Sequence, residues 1–284
     1  MGKHVVDEKE FESQDMIEKI CKRKYYKRGE DWDALALRVA TYVAQGGKIS
    51  AEECNKEYSS ADYSFWASQY YNYIREKVFI PGGRVLANAG TGTENLYNCF
   101  IVDIEDSRDS IYSVLKDCAE ISAQGGGVGI SFSNLREENS EVKGTQGKAS
   151  GPVSFMELFD TSAEVIKQGS RRSAMLASVR ADHPDILKFI DAKTHGKKLQ
   201  NFNISVSIPD DLMCAYENNL DYELKGYTSN TKIAAKELLH SIAAAAWKTG
   251  DPGILFIDEI NRHNPTPDLG EIVCTNPCRF HCAA

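Results

Sequence analysis

The stretch AQGGGVGISFSNLR, running from Ala123 to Arg136, decides how this chain is read. Val128 to Phe132 carries the apolar and β-branched character of a short strand, and the pattern before it, Ser110 to Ala123, predicts a helix. Gly125, Gly126 and Gly127 therefore stand between a helix and a strand, in that order. A dinucleotide-binding fingerprint needs the reverse order and a glycine where Ile130 stands, so that motif fails here. GTQGKAS (144–150) fails as a P-loop, because no glycine stands five residues before Gly147. Bare glycine backbone at this place serves one of two ends: close packing against another segment, or approach to a phosphate or sugar.

Working outward, LYNCFIV (96–102), FNISVSI (202–208) and ILFID (254–258) are further expected strands. Helical patterns cover 154–167, 184–192 and 232–248. Strands alternating with helices of this length predict an α/β sheet with mostly parallel neighbours. The first eighty residues read as helical. Leu35, Val39, Tyr42 and Val43 form one stripe with Gly46 as its stop, while Asp62 caps a helix whose Trp66, Tyr70, Tyr73 and Ile74 are expected in a core.

At 284 residues, 42% hydrophobic and 26% charged, with mean hydropathy −0.40, the composition excludes collagen-like and wholly disordered chains. No run approaches the ~18 apolar residues of a membrane span. Thirty-three basic against 41 acidic residues leave a net charge of −8, which argues against broad capture of nucleic acid, so any phosphate recognition is local. The N-terminus lacks an apolar signal core, and eight cysteines in a chain of this length do not form a disulfide scaffold. The chain therefore reads as cytoplasmic, with reduced thiols.

Cys21, Cys54, Cys118 and Cys214 lie in helical patterns and are expected to act as small buried hydrophobes. Cys99 sits in a strand beside Asn98. Cys274, Cys278 and Cys282 cluster with His281; Pro277 opposes the helix that would put their sulfurs on one face, and no metal site is expected. Arg171-Arg172, after Gln168-Gly169, is either a bidentate phosphate grip or a solvated pair. Asp106-Ser107 opens a helix, as a cap or as a carboxylate able to accept from a ribose or base.

PGGRVLANAGT (81–91), NLYNCFIVDIEDS (95–107), GGGVGISFSNLR (125–136), ASGPVSFMELFDTSAEVIKQGSRRSAM (149–175), HPDILKFIDAK (183–193), NFNISVSIPD (201–210), GILFIDEINRHNP (253–265) and CTNPC (274–278) follow one another in a familiar order. Their order and spacing resemble the catalytic chain of ribonucleotide reductase, most closely the adenosylcobalamin-dependent class. The resemblance implies a helical region (1–80), then the first half of a ten-stranded α/β barrel (81–278) and a non-family tail (279–284). In the family two five-stranded halves surround a finger loop carrying a radical cysteine. Cys278 matches that cysteine, Asn276 the asparagine that binds substrate hydroxyls, and Cys99 the first of two redox thiols. Asn98, Gly127 and Pro277 fall at substrate-contact positions. Asp106, Ser107, Arg136 and Lys143 match the deoxynucleotide effector site, and Gln168, Gly169, Arg171 and Arg172 the loop that relays effector identity. The implied partners are a ribonucleotide substrate, a deoxynucleotide effector and a thioredoxin-like reductant, with a homodimer in many members.

Departures accompany these matches. Arg279 and Phe280 stand where the family continues Gly-Glu, and Arg84 lies near a usual Ser or Thr contact. A second redox cysteine and a second half-barrel are not matched. The expectation is therefore a truncated or split reductase chain that is inactive alone, with exposed sheet edges and its other half separately encoded. The rival readings are the large subunit of a metal-radical reductase and a noncatalytic nucleotide-binding remnant.

Overall fold

The computed structural model describes residues 8–47, 59–93, 95–142, 147–166, 174–194, 196, 198–228 and 230–277. The chain divides into two compact units, Met1–Asn98 and Cys99–Ala284. No helix among the described residues is long and apolar enough to cross a membrane.

Among its described residues the first unit holds four helices: α1 (Glu8–Lys24), α2 (Trp32–Ala44), α3 (Ser60–Arg75) and α4 (Gly83–Asn88). Asp31 starts α2 by accepting from the Ala34 N–H at 2.8 Å, and Leu35, Ala36 and Val39 on its inner face pack with Ile74, Leu86 and Ala89. Arg38 ties this core together, bonding Glu30 through Nε at 2.6 Å and the Leu86 carbonyl through Nη2 at 3.1 Å. Three expectations are corrected here. Ser59, not Asp62, is the N-cap of α3, and Asp62 sits at its third position and closes a capping box. The inward stripe of α3 ends on Ile74, while Trp66 and Tyr73 are 44% and 48% exposed. Gly46 does not adopt the left-handed stop, because the chain remains helical at 46–47.

The second unit is built on one sheet. Strands β1 (Cys99–Asp103), β2 (Gly127–Ser131), β5 (Met175–Arg180), β6 (Phe202–Ile208) and β9 (Gly253–Phe256) pair in that order, every pairing parallel. Two antiparallel ribbons lie outside it: β3 (Glu141–Val142) with β4 (Gly147–Lys148), and β7 (Asp221–Leu224) with β8 (Thr231–Ala234). The crossovers carry α5 (Arg108–Ala123), α6 (Gly151–Val165), α7 (Ile186–Asp191), α8 (Asp210–Glu217) and α9 (Ala235–Thr249), and α10 (Ile257–Arg262) follows β9.

Alternation along the strands makes the two faces unlike. One face presents Val128 and Ile130, Met175, Ala177 and Val179, and Phe202, Ile204, Val206 and Ile208, all buried in one core with the crossover helices. Phe132 stands edge-on to Phe159 and Phe202, with ring centroids 5.5 and 6.3 Å away. Each such fully buried side chain contributes roughly 1.5–3 kcal/mol. The opposite face carries Gly127, Gly129 and Ser131 on β2, Ser178 on β5, and Ser205 and Ser207 on β6. Strands in sequential order with helices on one face are the architecture of a parallel α/β half-barrel, whose other face is its interior. Among the described residues β1 and β9 each pair on one side only. Cys21 and Cys118 are buried as expected, whereas Cys214 is exposed, because α8 turns Leu212 and Ala215 inward and position 214 falls off that stripe. Cys54 lies outside the described residues.

Candidate functional site

The interior face is occupied by the chain's own segment Cys274–Pro277. Cys274 is fully buried against Ser178 and close enough to feel the Asp103 carboxylate, at the C-terminal end of the strands. From there the segment runs antiparallel to β2, over its glycines. A β-carbon built on Gly129 would stand 2.1 Å from the Thr275 carbonyl oxygen and 3.2 Å from Asn276 Cα. One built on Gly127 would stand 3.1 Å from Pro277 Cγ and 3.3 Å from Cys99 Sγ. The two readings of the glycine run are thereby separated for Gly129, whose bare face admits another backbone. At Gly127 that segment and the Cys99 thiol meet.

Thr275 and Asn276 are 1% and 2% exposed, so the segment is part of the packed interior. Burial pushes the Cys274 thiol up to about 11, opposed in part by hydrogen bonding to Ser178 and to the Thr275 backbone. The hydroxyls of Ser178, Ser205, Ser207 and Thr275 are buried without full hydrogen-bond geometry to any described group, although Ser178 faces the Cys274 sulfur. The structure thus brings together Cys99, Gly127, Asn276 and Pro277. Asn98 precedes β1 and belongs to the first unit, where its amide nitrogen lies 3.1 Å from the β-carbon position of Gly82. Cys278, His281 and Cys282 lie outside the described residues.

A second feature lies beyond the C-terminal ends of the strands, where a cavity of about 370 Å³ is lined by Asp106, Ser107, Arg136, Val142, Lys148 and Phe155, among others. Ser107 is the N-cap of α5, accepting from the Ser110 N–H at 3.1 Å, which leaves the Asp106 carboxylate to receive Arg136 Nε at 2.6 Å. Arg136 also donates to the Glu141 carbonyl at 3.1 Å. Its segment is clamped by the HPD turn. His183 Nε2 lies 2.7 Å from the Leu135 carbonyl, and Asp185 Oδ2 accepts the Glu138 N–H at 2.7 Å. The Asp185 N–H donates to His183 Nδ1 at 3.0 Å, so the tautomer protonated on Nε2 satisfies both ring contacts.

Asp106, Ser107 and Arg136 therefore share one cavity, as the sequence reading grouped them. Lys143, Gln168, Gly169, Arg171 and Arg172 lie outside the described residues. Lys148 and Arg108 line the same cavity and were not singled out from sequence. Lys148 belongs to GTQGKAS, a segment tested only as a P-loop. Thr275 and Gly129 were also missed, because neither shows its role until the two segments are in contact.

A parallel half-barrel with a cysteine-led segment crossing its interior, and a cavity lined by Asp106, Arg108, Arg136 and Lys148 at the strand ends, defines an α/β class distinct from the dinucleotide-binding one. Comparison with known proteins agrees. The chain matches the family model "Ribonucleotide reductase, barrel domain" over residues 97–279 and "Ribonucleotide reductase, all-alpha domain" over residues 11–94. It belongs to the ribonucleotide reductase family.

A vitamin B12-dependent ribonucleoside-diphosphate reductase of Thermoplasma acidophilum is 43% identical over 221 residues, covering 75% of this chain and 29% of that protein. One from Mycobacterium tuberculosis is 40% identical over 227 residues, covering 78% and 33%. A ribonucleoside-diphosphate reductase large chain of Neurospora crassa is 32% identical over 241 residues, covering 73% and 26%. The chain thus spans a third or less of the length of these relatives.

Proposed function

We propose that this chain carries the radical-bearing half-barrel of an adenosylcobalamin-dependent ribonucleotide reductase, which supplies deoxynucleotides for DNA synthesis in the cytoplasm. The observation that supports this most is the meeting at Gly127, where Pro277, the residue before Cys278, and Cys99 Sγ approach one point on the interior face. Two B12-dependent relatives, at 43% and 40% identity, stand above the Neurospora large chain at 32%, while B12-dependent relatives from Streptomyces and Rhodopirellula stand level with it at 30–32%; the first two support this class over a metal-radical large subunit.

In this reading Asn276 orients the ribose hydroxyls, with Asn98 and Gly127 contacting substrate, and Cys278 takes the hydrogen from the 3′ carbon. Cys99 gives a proton to the departing 2′-hydroxyl, which leaves as water. Two electrons come from Cys99 and a second thiol as they join in a disulfide, which a thioredoxin-like dithiol then reduces. Adenosylcobalamin supplies the initiating radical when bound. The donor set fits that group, since cobalt held in its own corrin ring asks no ligand cage of the chain, and the interior face already holds the Cys99 thiol beside Pro277. Asp106, Ser107, Arg136 and Lys143 take a deoxynucleotide effector, and 168–174 relays its identity, within a homodimer or a monomer that imitates one.

The test is deoxynucleotide formation by the complete barrel with adenosylcobalamin, a ribonucleotide and a dithiol. Cys278→Ser and Cys99→Ser are expected to abolish multiple turnover. Undiminished product from Cys278→Ser excludes the radical role.

A further inference from the structure

The turn between β7 and β8 reaches the Arg136 cavity. The Tyr227 ring lies over the Arg136 guanidinium, 4.8 Å from ring centroid to Cζ. The ring is held there by its backbone, because the Glu137 carboxylate accepts the Tyr227 N–H at 2.9 Å and the Thr228 hydroxyl at 3.2 Å. At the start of the same turn, the Lys225 N–H donates to the Asp182 carbonyl at 2.7 Å, and Lys225 Nζ lies 3.0 Å from Asp182 Oδ2. Asp182 adjoins His183, which holds Leu135. Residues 135–138 are therefore gripped by the HPD turn and by the β7–β8 turn. Arg136 stands between them, with Nε on Asp106 and a ring across its plane.

We propose that Tyr227 is a positioning residue of the nucleotide cavity, fixing the Arg136 guanidinium so that the phosphate of a deoxynucleoside triphosphate meets an arginine already placed. This rests on the effector reading given above. The physical basis is that an arginine loses side-chain freedom when it grips phosphate, and a stacked ring removes much of that freedom beforehand. Bonds to described residues occupy Nε and Nη1, and a planar guanidinium carries five N–H donors in all, so the pair with Asp106 does not exhaust it. Tyr227 is 52% exposed, which makes a burial role a weak explanation for its placement.

The test uses the full 284-residue chain and its Tyr227→Phe and Tyr227→Leu variants. Calorimetric titration with dTTP and dATP is paired with phenylglyoxal modification of Arg136, mapped by mass spectrometry. Tyr227→Phe keeps the stacking and is expected to match the parent in both. Tyr227→Leu is expected to weaken deoxynucleotide binding by about three- to tenfold and to speed Arg136 modification, with an unchanged melting temperature. Normal binding and normal Arg136 reactivity in Tyr227→Leu overturn the proposal and leave the effector reading intact. A parent chain that titrates neither deoxynucleotide overturns the effector reading and the proposal with it.

Discussion

The Thr275 carbonyl oxygen stands 2.1 Å from the point where a β-carbon would sit on Gly129, so one hydrogen atom in the place of that β-carbon is what lets the finger lie on β2. A backbone oxygen cannot swing away as a flexible side chain can. Gly129→Ala is therefore expected to lift Cys274–Asn276 off the sheet, at about 1–3 kcal/mol of stability. Gly127→Ala, with its nearest contacts at 3.1 to 3.3 Å, is expected to do less. Hydrogen exchange of residues 274–277 in the two variants checks the order. Equal protection in Gly129→Ala and the parent would falsify the packing role.

The thiols should react in a sequence set by burial. Desolvation raises Cys118 to about 12 and Cys274 to about 11, so at pH 8 only about a thousandth of Cys274 is thiolate, and that fraction is enclosed. Cys214 is exposed on α8. Iodoacetamide at pH 8 is expected to label Cys214 well before Cys118 and Cys274, which it reaches only on unfolding, as read by peptide mass spectrometry. Early labelling of Cys274 in the folded chain would contradict the interior placement of the finger.

Much of this was legible in the sequence, for reasons particular residues make plain. Phe202–Ile208 is a strand over the very residues expected, because Phe202, Ile204, Val206 and Ile208 alternate with Asn203, Ser205 and Ser207 at the period of two that a strand requires. Met175–Arg180 was not recognised, since alanine and serine dilute its strand signal and its conformation comes from β2 and β6 on either side. Trp66 and Tyr73 misled because a helical stripe shows where apolar residues align and not which way the helix turns. Ser107 as cap was within reach of local reasoning. The partner of Asp106, thirty residues on, was grouped with it only through the family resemblance. The purpose of Gly129 depends on a segment far downstream, which no local pattern reports.

Asp182 predicts a pH dependence. Burial raises its pKa, but bonds from Arg180 and Lys225 outweigh this and hold the carboxyl below the usual value of 3.8. A depressed folded-state pKa contributes stability that is complete above the unfolded value and is lost as pH falls through the folded one. Below about pH 4 the chain should therefore lose stability at this site. Asp182→Asn should already lack that contribution at pH 7, by about 1–2 kcal/mol, because Arg180 and Lys225 are half exposed to water. Urea denaturation of both proteins at pH 7 and pH 3.5 checks this, and the gap between them should narrow in acid. A gap that stays constant means that the carboxylate charge is not what matters.

The HPD turn makes the sharpest demand on its neighbours. Gly151, with φ of +75°, opens α6 where a β-carbon would lie 2.8 Å from Asp185 Oδ2 and 3.0 Å from the Glu138 nitrogen, the two atoms that bond each other. Gly151→Ala thus combines a left-handed backbone with a collision on the clamp. His183→Ala keeps the backbone but orphans the Leu135 carbonyl and the Asp185 N–H, both inside the protein. Each variant is expected to lose about 1–3 kcal/mol, and each should loosen residues 135–138 before the sheet. Native-state hydrogen exchange tests this directly. Faster exchange at Glu138, with β5 and β6 still protected, is the expected pattern, and uniform loss across the sheet would show that the turn supports the whole fold rather than Arg136.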